Sequence, residues 1–286
     1  MIWAYLIHLS FNMWADRKVG RWGKLSRRHT SYVCYEPHLR FDEDLWRDLT
    51  EQMASAGVNM LVIDLGDGVR YASHPEIAVR GGWRPDKLRR ELARLRALGL
   101  EPIPKLNFSA AHDAWLGPYA RCLSTPAYYR VCGDLLDEVI ELFDRPRFFH
   151  LGYDEEDFNN QKLYAYAVVR QHELWWHDFL FFVRQVEKHG VRPWIWSDYA
   201  WSHRAEFYRQ MPRTVLQSNW WYWPDFNTRK LAAVRTYRDL DRHGYDQIPA
   251  GSNWVEPENL SKLAAFCRRR IHPARLLGFL QTVWFP

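Results

Sequence analysis

Two neighbouring acidic residues, Asp154 and Glu155, end the segment His150-Leu151-Gly152-Tyr153-Asp154-Glu155. Adjacent carboxyl groups in a partly dry cleft cannot both ionise freely, so one can donate a proton while the other carries the negative charge. An acidic run is also typical of a solvated loop or of the first turn of a helix. Because this run directly follows a predicted strand, we interpret it as a catalytic pair. His150 fits a functional residue and a buried structural histidine equally well.

Polar and aromatic residues also follow the other predicted strands, where they could surround these acids. The 286 residues include 16 Trp, 15 Tyr and 15 Phe, and flat rings in a cleft suit the faces of sugars or bases. The pattern predicts a pocket walled by indole rings with carboxylates at its floor. Besides the acid pair and His150, its predicted members are Asp64, Arg70, His112, Trp196, Asp198, Trp220, Tyr222, Trp254 and Trp284. Asp64 and Arg70 could equally form an ion pair that fixes a loop.

Short apolar runs alternate with longer amphipathic stretches, which is typical of β/α units. The predicted strands are Trp3–Leu9, Met60–Asp64, Glu101–Leu106, Phe148–Gly152, Arg192–Trp196, Thr214–Ser218, Gln247–Ala250 and Gly278–Trp284. The predicted helices are Glu43–Ala56, Asp86–Leu98, Tyr128–Phe143, Glu173–His189, Thr228–His243 and Glu258–Arg270, with a short one near Glu206. Four of these helices are followed by a glycine at the position where a left-handed residue ends a helix, namely Gly57, Gly99, Gly190 and Gly244.

The count of strands and helices predicts an α/β fold, a single-domain (β/α)8 TIM barrel covering residues 1–286, because such barrels have about 250 residues. A doubly wound sheet would carry a glycine-rich turn after its first strand, but the segment from Leu9 to Trp14 has no glycine. The active site of a barrel lies at the C-terminal ends of its strands. Trp194 and Trp196 share one strand face, so only Trp196, nearer that end, is expected to reach a substrate.

Composition argues against several classes of protein. The 39 Lys+Arg and 34 Asp+Glu give a net charge of +5 with one dense basic block, Arg268–Arg270, so dedicated nucleic-acid binding is not expected. Four scattered cysteines and the lack of an HExxH motif give no metal site or cofactor to predict, although His150 and Asp154 could take part in a metal-dependent hydrolase. No apolar run approaches the roughly 20 residues of a membrane helix. Because Met1–Ile7 lacks the features of a signal peptide, we expect a cytoplasmic protein.

The segment from His150 to Glu155 resembles the His-x-Gly-Gly-Asp-Glu signature of glycoside hydrolase family 20, the β-N-acetylhexosaminidases. Asp64–Arg70 with His74–Ile77 resembles the Asp-x-x-Gly-Trp-Arg stretch of that family and its downstream Tyr-Pro-x-Leu. Ile103–Asn107 with His112 resembles Ile-Pro-Glu-Ile-Asp-x-Pro-Gly-His, and Gly278–Trp284 resembles its glycine-to-tryptophan eighth strand.

The resemblance implies a retaining exo-glycosidase that acts on β-linked N-acetylhexosamine, with a carbohydrate as its partner. Glu155 would protonate the glycosidic oxygen and later act as a base towards water. Asp154 would orient the 2-acetamido group of the substrate, which attacks the anomeric carbon in place of an enzyme nucleophile. Tyr222 would bind the acetamido oxygen, and Trp196, Trp220 and Trp284 would wall the pocket.

Several residues depart from the family pattern. Lys105 stands where the third-strand motif has Glu, Asn107 where it has Asp, and Val69 where a Trp precedes Arg70. The arginine that grips sugar hydroxyls after the first strand has no counterpart in Leu9–Asn12. These departures favour a divergent member acting on a modified or different amino sugar.

Two other functions are compatible with the residues. Glu155 could be the acid/base of a retaining glycosidase in which Glu256 is the nucleophile, which needs carboxyl groups about 5–5.5 Å apart. Glu256 lies next to Pro257, so we expect it to begin the following helix instead. The chain could also be a carbohydrate-binding barrel without catalytic activity.

Overall fold

Eight parallel strands form one sheet in the computed structural model, which describes residues 1–18 and 32–284. The strands are β1 (Ile2–His8), β2 (Met60–Asp64), β3 (Glu101–Lys105), β4 (Phe148–His150), β5 (Arg192–Trp196), β6 (Leu216–Ser218), β7 (Ala250–Ser252) and β8 (Gly278–Thr282). They pair in the order β6-β5-β4-β3-β2-β1-β8-β7. Isolated bridges Gln217–Gln247 and Trp220–Ala250 join the two edges of this sheet. The sheet therefore closes into the predicted (β/α)8 barrel.

Helices connect successive strands on the outside of the barrel. They are α1 (Glu43–Ser55), α2 (Pro85–Ala97), α3 (Pro126–Leu142), α4 (His172–Glu187), α5 (Tyr199–Ser202), α6 (Arg204–Gln210), α7 (Ala232–Arg242) and α8 (Asn259–Arg268). Asp42 caps α1 by accepting hydrogen bonds from the amides of Asp44 and Leu45. The four glycines predicted to follow helices have φ between +73° and +88° and are confirmed: Gly57, Gly99, Gly190 and Gly244. No helix in the described ranges is both long and apolar enough to cross a bilayer.

Two predicted boundaries differ by several residues, each for a local reason. Strand β7 begins at Ala250 rather than Gln247. Pro249 intervenes and has no N–H to donate to a ladder, although its carbonyl accepts from Leu280. Helix α7 begins at Ala232 rather than Thr228, because the side chain of Asn227 accepts from the amides of Arg229 and Lys230 and holds a turn there.

The strands are buried on both faces, as expected for parallel β-structure covered by helices. Side chains such as Leu6, Val62 and Ile103 belong to the cluster inside the barrel. Their neighbours along the strands, such as Ile7 and Ile63, belong to the cluster shared with the helices. The alternation follows from the two-residue period of a strand. It leaves the strand ends and the loops after them to form the site.

Candidate active site

A pocket of about 240 Å³ opens among the loops that follow the strands. The predicted residues that line it are His112, Asp154, Glu155, Trp196, Trp220, Tyr222, Trp254 and Trp284. Its other lining residues, which no sequence pattern indicated as site members, are Met13, Trp14, Val33, Asn107, Asn160 and Trp223. Trp194 is fully buried and does not line the pocket, in agreement with its position one pleat below Trp196.

The two acids meet at the floor of this pocket but differ in exposure. The side chain of Asp154 is 11% exposed and that of Glu155 is 34% exposed. Asp154 Oδ1 accepts a hydrogen bond of 2.8 Å from Asn107 Nδ2. Burial by itself would raise the pKa of Asp154, but the positive charge of His112, together with Lys105 and the hydrogen bond from Asn107, holds that pKa well below its usual range. Asp154 is therefore ionised at neutral pH.

His112 lies between the two acids and carries the compensating charge. Its Nε2 is 3.4 Å from Asp154 Oδ2 and 3.4 Å from Glu155 Oε2. Burial alone would lower the pKa of His112, but the two acids outweigh burial, the larger contribution coming from Asp154, and raise it to about 10. The imidazole is thus a cation at neutral pH and neutralises part of the negative charge of the floor.

These three side chains are also the group of possible metal ligands in the described ranges. His112 Nε2, one oxygen of Asp154 and one of Glu155 all lie within 4.8 Å of one another. A protonated imidazole has no lone pair to offer a cation, so the raised pKa of His112 favours the ion pairs over coordination. Metal binding here would require the imidazole to lose its proton.

The acids stand on a strongly bent part of the β4 loop (residues 151–171). Gly152, Tyr153 and Glu155 have φ of +73°, +71° and +56°, in the left-handed region that side chains disfavour. Hydrogen bonds hold this conformation. Ser109 Oγ donates to the carbonyl of Asp154 over 2.5 Å, and the Glu155 amide donates to Asp198 Oδ2 over 2.8 Å. The bend directs both carboxyl groups into the pocket.

A buried ion cluster fixes the next residue of the β4 loop. Arg170 Nη2 lies 2.5 Å from Glu156 Oε2, and Arg170 Nη1 lies 3.1 Å from Asp178 Oδ2 in α4. All three side chains are at most 2% exposed. Arg170 also donates to the carbonyl of Phe108 in the loop after β3. One guanidinium therefore joins the loops after β3 and β4 to α4.

Aromatic side chains make most of the remaining pocket surface. Trp220 stacks on Tyr222 with ring centres 5.1 Å apart, and Trp220 Nε1 donates to Asp198 Oδ1 over 3.3 Å. Trp284 Nε1 donates to the Tyr222 hydroxyl over 3.1 Å. Burial raises the pKa of Tyr222, so its hydroxyl keeps its proton and can donate it to a ligand. The walls thus combine flat apolar faces with one oriented phenol.

Four of the predicted site residues are not among those that line the pocket. Arg70 is exposed at the surface. Asp64 is buried in the barrel, where Lys105 Nζ donates to it and His8 Nδ1 lies 3.2 Å away. Asp198 accepts hydrogen bonds from the Glu155 amide and Trp220 Nε1. The alternative ion pair between Asp64 and Arg70 is also wrong, because Lys105 and not Arg70 is the charged partner of Asp64.

His150, the fourth of these residues, is buried against Trp194 and Trp196, with ring centres 4.9 and 4.5 Å away. Burial and the nearby Lys105 charge keep its pKa well below the ordinary value, so the ring is neutral. Its Nδ1 accepts a hydrogen bond of 3.1 Å from the Gly152 amide. These contacts support a structural role for His150.

Glu256, the alternative nucleophile, does not line the pocket. Its Oε2 lies 3.0 Å from Lys262 Nζ, a residue of α8, and the chain enters that helix three residues later. Glu256 therefore precedes this helix and does not begin it as expected, but its carboxylate is paired with a lysine of the helix.

No protein-family model matches this chain, and neither does any curated protein. Similar solved structures include glycoside hydrolases of family 20. They include the exo β-N-acetylglucosaminidase from Vibrio harveyi, with 16% identity, a TM-score of 0.62, and coverage of 87% of this chain and 48% of that one. The β-N-acetylhexosaminidase from Streptomyces coelicolor A3(2) has 14% identity and a TM-score of 0.66, over 98% of this chain and 58% of that one.

A chitobiase from Flavobacterium johnsoniae is 18% identical, with a TM-score of 0.63, over 85% of this chain and 42% of that one. This chain thus spans about half the length of these enzymes. At such identities the likeness establishes the shared barrel fold, and activity has to be argued from the site.

Proposed function

We propose that this protein is a retaining exo-glycosidase that removes β-linked N-acetylhexosamine by a substrate-assisted mechanism. The observation that carries the proposal is the unequal pair at the pocket floor. Asp154 is buried and ionised beside the His112 cation, whereas Glu155 is three times as exposed and faces the same space. The similar fold of enzymes described as β-N-acetylhexosaminidases supports the choice of substrate.

Asp154 has the environment that its proposed role needs, and Glu155 faces the pocket, where its carboxyl group can reach the glycosidic oxygen of a bound substrate. Glu155, in its acid form, gives its proton to the glycosidic oxygen as the bond from that oxygen to the anomeric carbon breaks. The acetamido oxygen of the substrate forms the new bond to the anomeric carbon. This bond closes a five-membered oxazolinium ring. Water then attacks the anomeric carbon and opens the ring, while Glu155 takes a proton from the water and regains its acid form. Partial exposure lets Glu155 exchange protons with solvent.

Asp154 and Tyr222 hold the acetamido group from its two ends. The ionised carboxylate of Asp154 accepts a hydrogen bond from the acetamido N–H and stabilises the positive charge that develops on it. The Tyr222 hydroxyl, oriented by Trp284 Nε1, donates to the acetamido oxygen. The indole faces of Trp196, Trp220 and Trp284 exclude water and cover the apolar face of the sugar.

Hydrolysis of 4-nitrophenyl N-acetyl-β-glucosaminide and N-acetyl-β-galactosaminide tests the proposal. Glu155→Gln and Asp154→Asn should each lower kcat/KM by roughly 10²–10⁴-fold, because one removes the proton donor and the other the charge. Glu256→Gln is the matched control, and it should change kcat/KM by less than about threefold because Glu256 pairs with Lys262 outside the pocket.

Other outcomes of these assays would contradict parts of the proposal. A loss below about tenfold, equivalent to ~1.4 kcal/mol, in Glu155→Gln removes Glu155 from the role of acid. A large loss in Glu256→Gln would instead favour the protein-nucleophile mechanism. Cleavage of 4-nitrophenyl β-glucoside at a similar rate would rule out participation of the acetamido group. Sugar binding without turnover would indicate a carbohydrate-binding barrel, and loss of activity on metal removal would indicate a metal-dependent hydrolase.

A further inference from the structure

The side of the pocket that faces the acid pair is built on three other strands. In the closed barrel β8 is four strands away from β4 in either direction, so it lies directly opposite, with β1 and β7 beside it. The residues that line the pocket after these three strands form its far wall, and they are Met13, Trp14, Val33, Trp254 and Trp284. All five side chains are apolar apart from the N–H groups of the indole rings. The pocket therefore has a charged side and an apolar side.

Three members of the far wall pack together as the β1 cluster, which consists of Met13, Trp14 and Val33. These residues are 3%, 7% and 5% exposed. Trp14 lies edge to face against Trp284, with ring centres 6.2 Å apart, and against His112, with ring centres 6.0 Å apart. The β1 cluster therefore reaches from the cation beside the acids to the opposite strand, and little of its surface is open to solvent.

Polar groups that could bind a sugar hydroxyl are concentrated on the charged side. Among the residues that the structure describes, every lining carboxylate, side-chain amide and imidazole comes from the loops after β3 and β4. On the far wall, Trp284 Nε1 already donates to the Tyr222 hydroxyl, and the carbonyl of Met13 already accepts from the Tyr164 hydroxyl. A hydroxyl group against the β1 cluster would lose water without gaining a strong acceptor, which is unfavourable, whereas a methyl group would gain from burial.

We propose that the pocket takes an N-acetylhexosamine that lacks the hydroxyl at C6, a 2-acetamido-2,6-dideoxyhexose, and that the β1 cluster determines this preference. The inference rests on the function proposed above, which holds C1 at Glu155 and the C2 acetamido group between Asp154 and Tyr222. In a six-membered sugar ring the C4–C5 edge lies opposite the C1–C2 edge, so it turns towards the far wall. C6 projects from C5 on this edge, where a methyl group matches the apolar surface and a hydroxymethyl group does not.

The preference is measured on the wild-type protein with two glycosides that differ by one oxygen atom. These are 4-nitrophenyl N-acetyl-β-glucosaminide and its 6-deoxy analogue. The value of kcat/KM should be roughly 10–100-fold higher for the 6-deoxy glycoside, because only the other substrate buries a hydroxyl without an acceptor. Equal values, or a higher value for the glycoside that carries the hydroxyl, would overturn the proposal.

Two substitutions test whether the β1 cluster is responsible. Val33→Thr keeps the shape of the side chain and adds a hydroxyl, and Met13→Gln adds an amide at similar length. Each should lower the ratio of the two kcat/KM values by at least about threefold, since the hydroxyl of the substrate gains a partner. Val215→Thr is the matched control, because Val215 is a buried core residue that does not line the pocket, and the ratio should stay within about twofold of the wild type. A ratio unchanged in both cluster variants would overturn the role of the β1 cluster.

A binding measurement separates this inference from the proposed function. Quenching of tryptophan fluorescence gives the Kd of free N-acetylglucosamine and of free 2-acetamido-2,6-dideoxyglucose without any turnover. Tighter binding of the 6-deoxy sugar by a protein that hydrolyses neither glycoside upholds the preference and overturns the proposed function. Hydrolysis of both glycosides without preference upholds the proposed function and overturns the inference. A protein that neither binds nor hydrolyses them overturns both.

Discussion

Asp154 and Glu155 are neighbours in the chain but occupy different environments, and the proposed mechanism depends on that difference. Asp154 points towards Asn107 and the His112 cation, where a negative charge is stabilised. The Glu155 side chain is about three times as exposed as that of Asp154, although one of its oxygens lies equally near the same cation, at 3.4 Å. Two neighbouring carboxylic acids can divide the roles of charge and proton donor when the protein surrounds them unequally.

At this scale we predict a pH-dependent contribution of His112 to stability. The pKa of His112 is raised from 6.5 to about 10, so its contribution is fully present below pH 6.5 and is lost as the pH rises through about 10. Asp154, whose pKa is lowered, contributes above its unfolded pKa of about 3.9 and loses that contribution in strong acid. The His112–Asp154 pair should thus stabilise the protein most between those limits.

Urea unfolding of wild type and His112→Phe measures this contribution. The difference in the free energy of unfolding should be on the order of 3 kcal/mol near neutral pH and should shrink between pH 6.5 and about pH 10. His177→Phe, at a side chain that is 64% exposed, is the control and should change the free energy of unfolding by less than about 0.5 kcal/mol. A difference that stays constant with pH would contradict a charged His112.

The loop after β4 is the element that turns a sequence motif into a site. Its strand ends at His150, and positive φ angles at Gly152, Tyr153 and Glu155 then reverse the chain over the barrel end. Side chains from the loop after β3 and from the end of β5 accept or donate the hydrogen bonds that this bend requires. The bend is thus maintained by other elements rather than by its own sequence.

We predict that Gly152→Ala is far more damaging than the same change at another left-handed glycine. Both Gly152 and Gly99 have positive φ, at +73° and +81°, so each alanine carries a backbone cost of roughly 1–2 kcal/mol. At Gly99 a Cβ meets nothing within 4 Å, whereas at Gly152 it collides with Asn107. Gly152→Ala should therefore also displace the acids and lower kcat/KM at least tenfold, while Gly99→Ala should leave kcat/KM within about twofold. Equal losses of thermal stability and activity in the two variants would refute this.

Across the whole molecule, buried ions hold the loops around the pocket. Arg170 joins Glu156, Asp178 and the carbonyl of Phe108, which belong to three different elements. Inside the barrel, Lys105, Asp64 and His8 form a second buried cluster. Arg170 is paired with Glu156 and Asp178, and Lys105 is paired with Asp64, as burial of charge requires. Removing one charged side chain of such a pair leaves its partner unpaired in a low-dielectric interior.

We predict that Arg170→Met lowers the free energy of unfolding by about 3–5 kcal/mol, because it leaves Glu156 and Asp178 buried without their cation. Arg145→Met is the matched control. Arg145 pairs with Glu141 at the surface, with its side chain 67% exposed, and should cost no more than about 0.5 kcal/mol. Chemical unfolding of both variants gives the comparison, and similar losses would show that the Arg170 cluster is not a major support.

The alternation of apolar runs and amphipathic helices was enough to predict the barrel, eight strands and the helix-ending glycines, because periodicity and turn preferences are local properties of the chain. The alternation also indicated that residues following the strands would lie close together. The structure places His112, Asp154, Glu155 and five of the predicted aromatic residues around one pocket. The predicted starts of β7 and α7 were wrong because a single residue, Pro249 or Asn227, imposes a different local structure there. No local pattern marked Met13, Trp14 or Val33 as pocket residues.

Only the tertiary structure decided which charges face the pocket and which face one another. Asp64 and Lys105 are 41 residues apart, and Asn107 and Asp154 are 47 apart, so neither pairing has a local signature. Strand register placed Asp64 beside Lys105 in the barrel interior, away from the pocket. The left-handed bend at Tyr153 placed the carboxylate of Asp154 on Asn107. Burial and charge depend on every element that surrounds a side chain, and a linear sequence does not list those neighbours.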